Sequence, residues 1–218
     1  NFLPSSMPDP EYAGATGRRT DGRDLTAAWR KRNPRGAYIW NARDFAQFNP
    51  ARRDRVLGLF EPDHMRYEAD RAGDRGGEPS LADMTRVAIT TLRSRGKGYV
   101  LLIEGGRIDH AHHGSNARRA LEDAIALDSA VRTALELVDL KDTLVLATSD
   151  HSHTLTISGY PARGNPVLGV VIDVDKQTVK AKDGKAYTTL GYANGPAATT
   201  DTPRADPAAT DTTALDYR

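Results

Sequence analysis

An α/β fold, with a mostly parallel sheet sandwiched between helices and a β-rich insert appended, is what this sequence predicts. Two apolar runs, residues 99–103 (Tyr-Val-Leu-Leu-Ile) and 143–147 (Thr-Leu-Val-Leu-Ala), have the composition of strands buried on both faces. Between them, Ala120, Ile125, Leu127, Val131, Ala134, Leu135 and Val138 recur at helical spacing, predicting a long amphipathic helix over 116–138. Strand, helix, strand is a βαβ unit, whose strands run parallel and whose functional residues gather at the strands' carboxyl ends. Beyond Ser158 the chain turns to Gly, Pro, Asn and Thr, with an apolar run at 167–171 and a hairpin turn at Lys182-Asp183-Gly184. The expected division is therefore 1–158 as α/β domain and 159–218 as insert.

The remaining elements follow in order. Residues 1–20 are rich in Pro, Gly, Ser and Asp and read as irregular surface. Asp24 can cap a short helix running through Arg32, Tyr38 and Trp40 alternate as in a strand, and Asn41-Ala42-Arg43-Asp44 turns into a second short helix. Ser80 followed by Asp83 resembles a capping box, and Leu81, Met84, Val87, Ala88, Thr91 and Leu92 continue it as a helix. The stretch 195–211, rich in Ala, Thr, Pro and Asp without periodicity, reads as a loop.

Thirty basic residues nearly cancel twenty-nine acidic ones, and no long block of one sign occurs. That balance gives no footprint for nucleic acid or for an anionic membrane. No apolar stretch approaches the roughly 18 residues that span a bilayer. The opening Asn1-Phe2-Leu3-Pro4 reads as chain already under way, so an export signal is expected upstream. With no cysteine, metal ligands would be imidazole and carboxylate, which favours hydrolytic zinc or magnesium chemistry.

Histidine is where the chemistry concentrates. Five of the six stand in two clusters, each just after a predicted strand: Glu104-Gly105-Gly106-Arg107-Ile108-Asp109-His110-Ala111-His112-His113 and Ser149-Asp150-His151-Ser152-His153. His64, alone in a loop region, reads as an ordinary exposed side chain. Asp109 and His113, four apart, face the same way on one helical turn and can share a metal. Adjacent Asp150 and His151 diverge unless an irregular loop turns them together. Imidazole with carboxylate suits zinc and an all-oxygen set suits magnesium, so Glu104 can serve a different ion from Asp109 and His113. Divalent metals neutralise the anionic oxygens that shield a phosphate ester from attack. On this chemistry alone phosphatases, sulfatases, nucleotide pyrophosphatases and cofactor-independent phosphoglycerate mutases fit equally.

The run 103–113, Thr148-Ser149-Asp150-His151-Ser152-His153 and Gly159-Tyr160-Pro161 closely resemble alkaline phosphatases of the animal type, found also in bacteria. Pro8-Asp9-Pro10-Glu11-Tyr12, Gly58-Leu59-Phe60-Glu61-Pro62, Met65-Arg66-Tyr67-Glu68, Lys185-Ala186-Tyr187 and Gly191-Tyr192-Ala193-Asn194-Gly195-Pro196 match in the same order. The resemblance implies Glu104 on magnesium, Asp109 and His113 on a first zinc, and Asp150 with His151 on a second. It places His110 and His153 behind the ligands, and Phe60 through its carbonyl, Glu61 and, across a short insertion, Glu78 on calcium. It makes the insert crown-like and dimer-facing, with Tyr160 reaching toward a second subunit, in an exported homodimer.

The resemblance also implies what to expect outside these residues. The serine nucleophile, an aspartate shared between zinc and magnesium, a phosphate-clamping arginine and a hydroxyl ligand of magnesium belong to an N-terminal half, and a third histidine of the first zinc follows Arg218. No catalytic nucleophile is therefore expected within the chain. Asp128-Ser129-Ala130 superficially matches the family's nucleophile motif, but it falls inside the long helix and after the first metal cluster, so Ser129 reads as a helix-surface residue. The expected activity is phosphate monoester hydrolysis through a phosphoserine. The rivals are a phosphodiesterase or sulfatase of the same superfamily and a non-catalytic fragment that binds metal or phosphate.

Overall fold

The computed structural model of the chain describes residues 2–53, 55–193 and 205–217. In chain order the elements are α1 (Leu25–Arg32), β1 (Ala37–Ile39), α2 (Ala42–Gln47), β2 (Val56–Gly58), α3 (Glu68–Arg71) and α4 (Leu81–Arg93). They continue as α5 (Arg107–His113), α6 (Ala117–Leu137), β3 (Leu155–Ile157) and β4 (Leu190–Tyr192), with a 3-10 turn at Pro207–Ala209. Two compact units result: Asn1–Gly105 with Ile125–Leu146, and Gly106–Ala124 with Ala147–Arg218.

In the first unit local chemistry sets the helix starts. The Asp24 carboxylate accepts from the Ala27 N–H at the head of α1, and the Asn41 side chain accepts from the Asp44 N–H at the head of α2. Ser80 and Asp83 close a reciprocal capping box on α4, satisfying two backbone donors that would otherwise lack partners. Strands β1 and β2 pair in parallel, Ala37 opposite Val56 and Ile39 opposite Gly58, so β1, α2 and β2 form a small βαβ unit. Ile39, Phe60, Ile89, Ala130 and Ala134 are buried, with Phe45 edge-to-face on Phe60 at 6.0 Å.

The parallel pairing expected of residues 99–103 and 143–147 is not present among the described residues. Both segments lack strand pairing, and Val100, Leu102, Leu144 and Leu146 are 98, 89, 82 and 81% exposed. A strand buried on both faces exists only where neighbours complete its backbone hydrogen bonds and cover its side chains, and no described residue does so here. The helix expected between them does form, as α6.

The second unit begins with α5, which ends at Gly114. Ser115 then takes a left-handed φ of 53°, and the Asn116 side chain accepts from the Arg119 N–H at the start of α6. Strands β3 and β4 pair antiparallel, Leu155 opposite Tyr192. Isolated antiparallel bridges join Val170 to Thr188, Ile172 to Thr178 and Lys180 to Ala186, the last closing the hairpin expected at 182–184, where Gly184 has φ +79°. Val171 is fully buried, and the left-handed Gly159 lies so close that a Cβ there would meet its methyl groups at 3.0 and 3.1 Å. Most of the loop expected at 195–211 lies outside the described residues; its far end forms the Asp206-capped turn Pro207–Ala209.

Candidate metal centre

Helix α5 carries Asp109 and His113 one turn apart, and the loop entering β3 carries Asp150, His151 and His153. These segments meet at the Asp109 carboxylate. His113 Nε2 stands 3.4 Å from Oδ2, while His153 Nε2 at 3.3 Å and His151 Nε2 at 3.8 Å face Oδ1. The same His151 nitrogen is 3.4 Å from Asp150 Oδ2, so one imidazole stands between the two carboxylates. Ligand atoms of Asp109, His113 and His153 all lie within 4.8 Å of one another, close enough to share one ion.

The polar atoms of this cluster are incompletely satisfied. Asp109 Oδ1 and His153 Nδ1 are both buried without a hydrogen-bond partner among the described residues. A buried polar atom left so carries a desolvation cost that a bound group would remove. Nitrogen donors around one carboxylate match the ligand preference of zinc. The donor set therefore fits a divalent cation, and Asp109, His113 and His153 are the three residues whose ligand atoms lie close enough to reach one, with His151 and Asp150 alongside.

The other imidazoles have distinct surroundings. His110 Nδ1 is 2.9 Å from an Arg107 nitrogen. His112 Nδ1 is 2.9 Å from the Tyr192 hydroxyl, and its ring stacks on His153 with centroids 5.1 Å apart. Burial, then the neighbouring His153, holds the His112 pKa below the usual imidazole value, and burial pushes the Tyr192 phenol up to about 12. The Ser152 carbonyl, 3.0 Å from His151 Nδ1, raises His151, with Asp150 adding to it. Glu104 belongs to the first unit, exposed in the irregular segment after α4. Sequence reasoning had placed His153 behind the ligands and had not singled out His112 or Tyr192. The 80-residue separation of that last pair leaves no local signal.

The first unit holds a second charged cluster. Glu61 accepts from the Tyr12 hydroxyl at 2.7 Å and from Arg66 Nε at 2.9 Å, and the Glu78 carboxylate accepts from the Arg66 N–H at 3.0 and 3.2 Å. Asp74, which the sequence reading missed in a glycine-rich loop, joins them 3.7 Å from Arg66, with its Oδ2 buried and unpartnered among the described residues. Burial raises Glu11 and Glu61 and pushes Glu78 up to about 7, the nearby carboxylates adding to each. One guanidinium among so many carboxylates leaves a deficit of positive charge. Hard oxygen donors of this kind suit calcium, and Phe60, next to Glu61 in the chain, is buried.

A family model described as alkaline phosphatase matches residues 1–218. The chain belongs to the alkaline phosphatase family. The tissue-nonspecific alkaline phosphatase of Gallus gallus is 43% identical over 204 residues, covering 89% of this chain and 37% of its own length. That of Homo sapiens is 41% identical over 201 residues with the same coverage, and the membrane-bound alkaline phosphatase of Bombyx mori is 39% identical over 201 residues, covering 90% and 35%. A solved Thermus thermophilus alkaline phosphatase shares 36% identity over 53% of this chain and 23% of its own, with a TM-score of 0.46. The chain thus spans little more than a third of the alkaline phosphatases it matches. No described helix is long and apolar enough to cross a membrane.

Proposed function

We propose that this chain carries part of the metal centre of a phosphate monoester hydrolase that works through a phosphoserine intermediate. The observation that carries the reading is Asp109 Oδ1, buried, without a hydrogen bond, and faced by two imidazole nitrogens while His113 flanks the other oxygen. Asp109 and His113 would hold one zinc, with His153 supporting the Asp109 carboxylate from 3.3 Å, Asp150 and His151 a second, and Glu104 a magnesium. When bound, such ions neutralise phosphate oxygens and activate oxygen nucleophiles. His110, paired with Arg107, stands by to orient the surrounding polar groups. Glu61 and Glu78, with Asp74 and the Phe60 carbonyl, form the proposed calcium site.

In the same reading the nucleophilic serine comes from outside residues 1–218. Ser129, the superficial candidate, lies exposed on α6 with its hydroxyl donating to the Ile125 carbonyl at 2.9 Å, an arrangement for helix surface rather than for attack. The whole enzyme is proposed as an exported homodimer in which a mostly parallel sheet lies between helices and residues 159–218 form part of a crown-like, dimer-facing insert. Tyr160, 95% exposed, is available to a second subunit. Family membership favours this over a phosphodiesterase or sulfatase, which would carry a different nucleophile.

The test supplies zinc and magnesium to purified residues 1–218 and follows release of a chromogenic alcohol from a phosphate monoester at alkaline pH. The expected outcome is bound zinc with turnover more than about tenfold below a full-length family member, because the covalent step lacks its serine. Turnover within that factor would place the nucleophile inside the chain, at Ser129, Ser149 or Ser152. Failure to bind zinc would overturn the metal assignment and leave the non-catalytic reading.

A further inference from the structure

The even charge of the whole chain does not hold locally. Residues 30–55 carry seven arginines and one lysine against two aspartates, in a chain whose formal net charge is +1. Arg30, Lys31 and Arg32 fill the last turn of α1, where the helix macrodipole favours cations, and that accounts for their place. Arg35, Arg52, Arg53 and Arg55 stand outside any helix, and it is the fold that gathers them. Because β1 and β2 run parallel, with Ala37 opposite Val56, the residues that enter both strands lie at the same end, and the Ala37 N–H donates to the Arg55 carbonyl at 2.8 Å. Arg32, Arg52, Arg53 and Arg55 are exposed, and no carboxylate among the described residues pairs with them; Asp54 lies outside those residues. Like charges gathered on one face repel, and an anionic partner relieves that repulsion. These arginines line two grooves, and each groove contains aromatic surface: Trp29 beside Arg32, Arg35 and Arg55 in one, Phe48 and Tyr38 beside Arg52 and Arg53 in the other. Arg30 lies over the Tyr38 ring, 5.8 Å from its centroid. Asp44, the one acidic residue among the described lining, is engaged by the Asn41 side chain at 3.1 Å and by Arg43 at 3.9 Å. Guanidinium groups grip phosphate oxygens two at a time, and aromatic rings between them accept unpaired bases. A lipid surface would use the charges but not rings set in grooves, and a duplex would bring phosphates with its bases already stacked.

We propose that this end of the β1–β2 pair binds single-stranded nucleic acid, its arginines following the phosphate backbone while Trp29 and Phe48 receive bases. The inference is independent of the metal reading, and its test keeps metal out. A fluorescent single strand of about 12 nucleotides, within the length that such grooves cover, carries hydroxyl groups at both ends and is titrated with the full chain in chelator. Its anisotropy is followed at several salt concentrations. The expected result is saturable binding that weakens with salt, the slope of log affinity on log salt being about −3 for roughly four neutralised phosphates. A variant carrying Arg52→Gln, Arg53→Gln and Arg55→Gln should flatten that slope by about 2 and bind more than about tenfold more weakly at low salt. Its melting temperature should not change, since these side chains are exposed. The strand should also outcompete inorganic polyphosphate of equal charge by at least about fivefold, the least that one stacked base contributes. No binding at low salt, or a triple variant that binds as the unaltered chain does, overturns the proposal. Equal competition by polyphosphate or by duplex overturns it in favour of a site for any phosphate polymer, and tighter binding to vesicles of anionic phospholipid overturns it in favour of a membrane. Should the triple variant fail to fold, Arg32→Gln with Arg35→Gln in the other groove decides by the same readings.

Discussion

The two charged clusters of this chain are built on opposite plans. Around Asp109, several imidazoles surround one carboxylate; around Arg66, several carboxylates surround one guanidinium. The imidazole cluster has no permanent cation of its own, so a metal ion can enter without displacing one. The carboxylate cluster already contains a positive charge at 2.9 Å from Glu61, and any added cation enters beside it. Imidazole nitrogen donors with an open centre favour tight binding of zinc, and hard oxygen donors with a resident guanidinium favour weaker binding of calcium.

The largest expected effect tests the first half of that contrast. Asp109→Asn removes the one carboxylate on which the three imidazoles converge, so zinc affinity should fall by more than ~100-fold, beyond the loss seen when a merely supporting group is removed. Calcium binding in the first unit should not change. Parallel titrations with zinc and calcium check both halves, and a coupled loss would show that the clusters are not independent.

A smaller effect is expected where a resident cation competes. Arg66→Gln removes the guanidinium but keeps a hydrogen-bonding side chain, and the Arg66 backbone N–H that Glu78 accepts is unaffected. Removal of a like charge a few ångströms from an incoming ion should raise calcium affinity by about tenfold. Calorimetric titration with calcium checks this, and an unchanged or weakened affinity would mean that the guanidinium organises the carboxylates rather than opposing the ion.

How much of this was legible in the sequence depends on how local each feature is. Helix starts at Asp24, Asn41 and Ser80 were readable because a cap spans only a few residues and involves one side chain and one nearby N–H. The imidazole clusters were readable because their members are neighbours in the chain. The apolar runs at 99–103 and 143–147 were read as strands, but a strand is completed by distant chain, which no local pattern supplies. That His153 comes within 3.3 Å of Asp109 was not legible as a distance, because only the approach of β3 to α5 brings those two segments together. Asp74 was missed because its loop carries no periodic signal, and only the fold brings it beside Glu61 and Arg66.

The smallest expected effect is a pH dependence that separates the clusters without any metal. Glu78 is raised by burial from the ordinary glutamate value of 4.5 to about 7, and it faces Glu61, Asp74 and the Arg66 backbone N–H. A carboxyl whose folded pKa is raised binds its proton more tightly when folded than when unfolded, so its protonation favours the folded state most at low pH. That advantage is fully present below about 4.5 and is lost as pH rises toward 7. In chelator, the melting temperature should fall across this window by ~2–4 °C on account of Glu78, a range already reduced for screening by solvent and by Arg66. Glu78→Gln cannot titrate and should flatten that part of the profile. Calcium at pH 8 should restore the lost degrees in the unaltered protein but not in Glu78→Gln, since the ion neutralises the same carboxylate that the proton had neutralised. A profile that stays equally steep in Glu78→Gln would place the titrating carboxyl elsewhere in the cluster, with Glu61 and Glu11, both raised by burial, the next to replace.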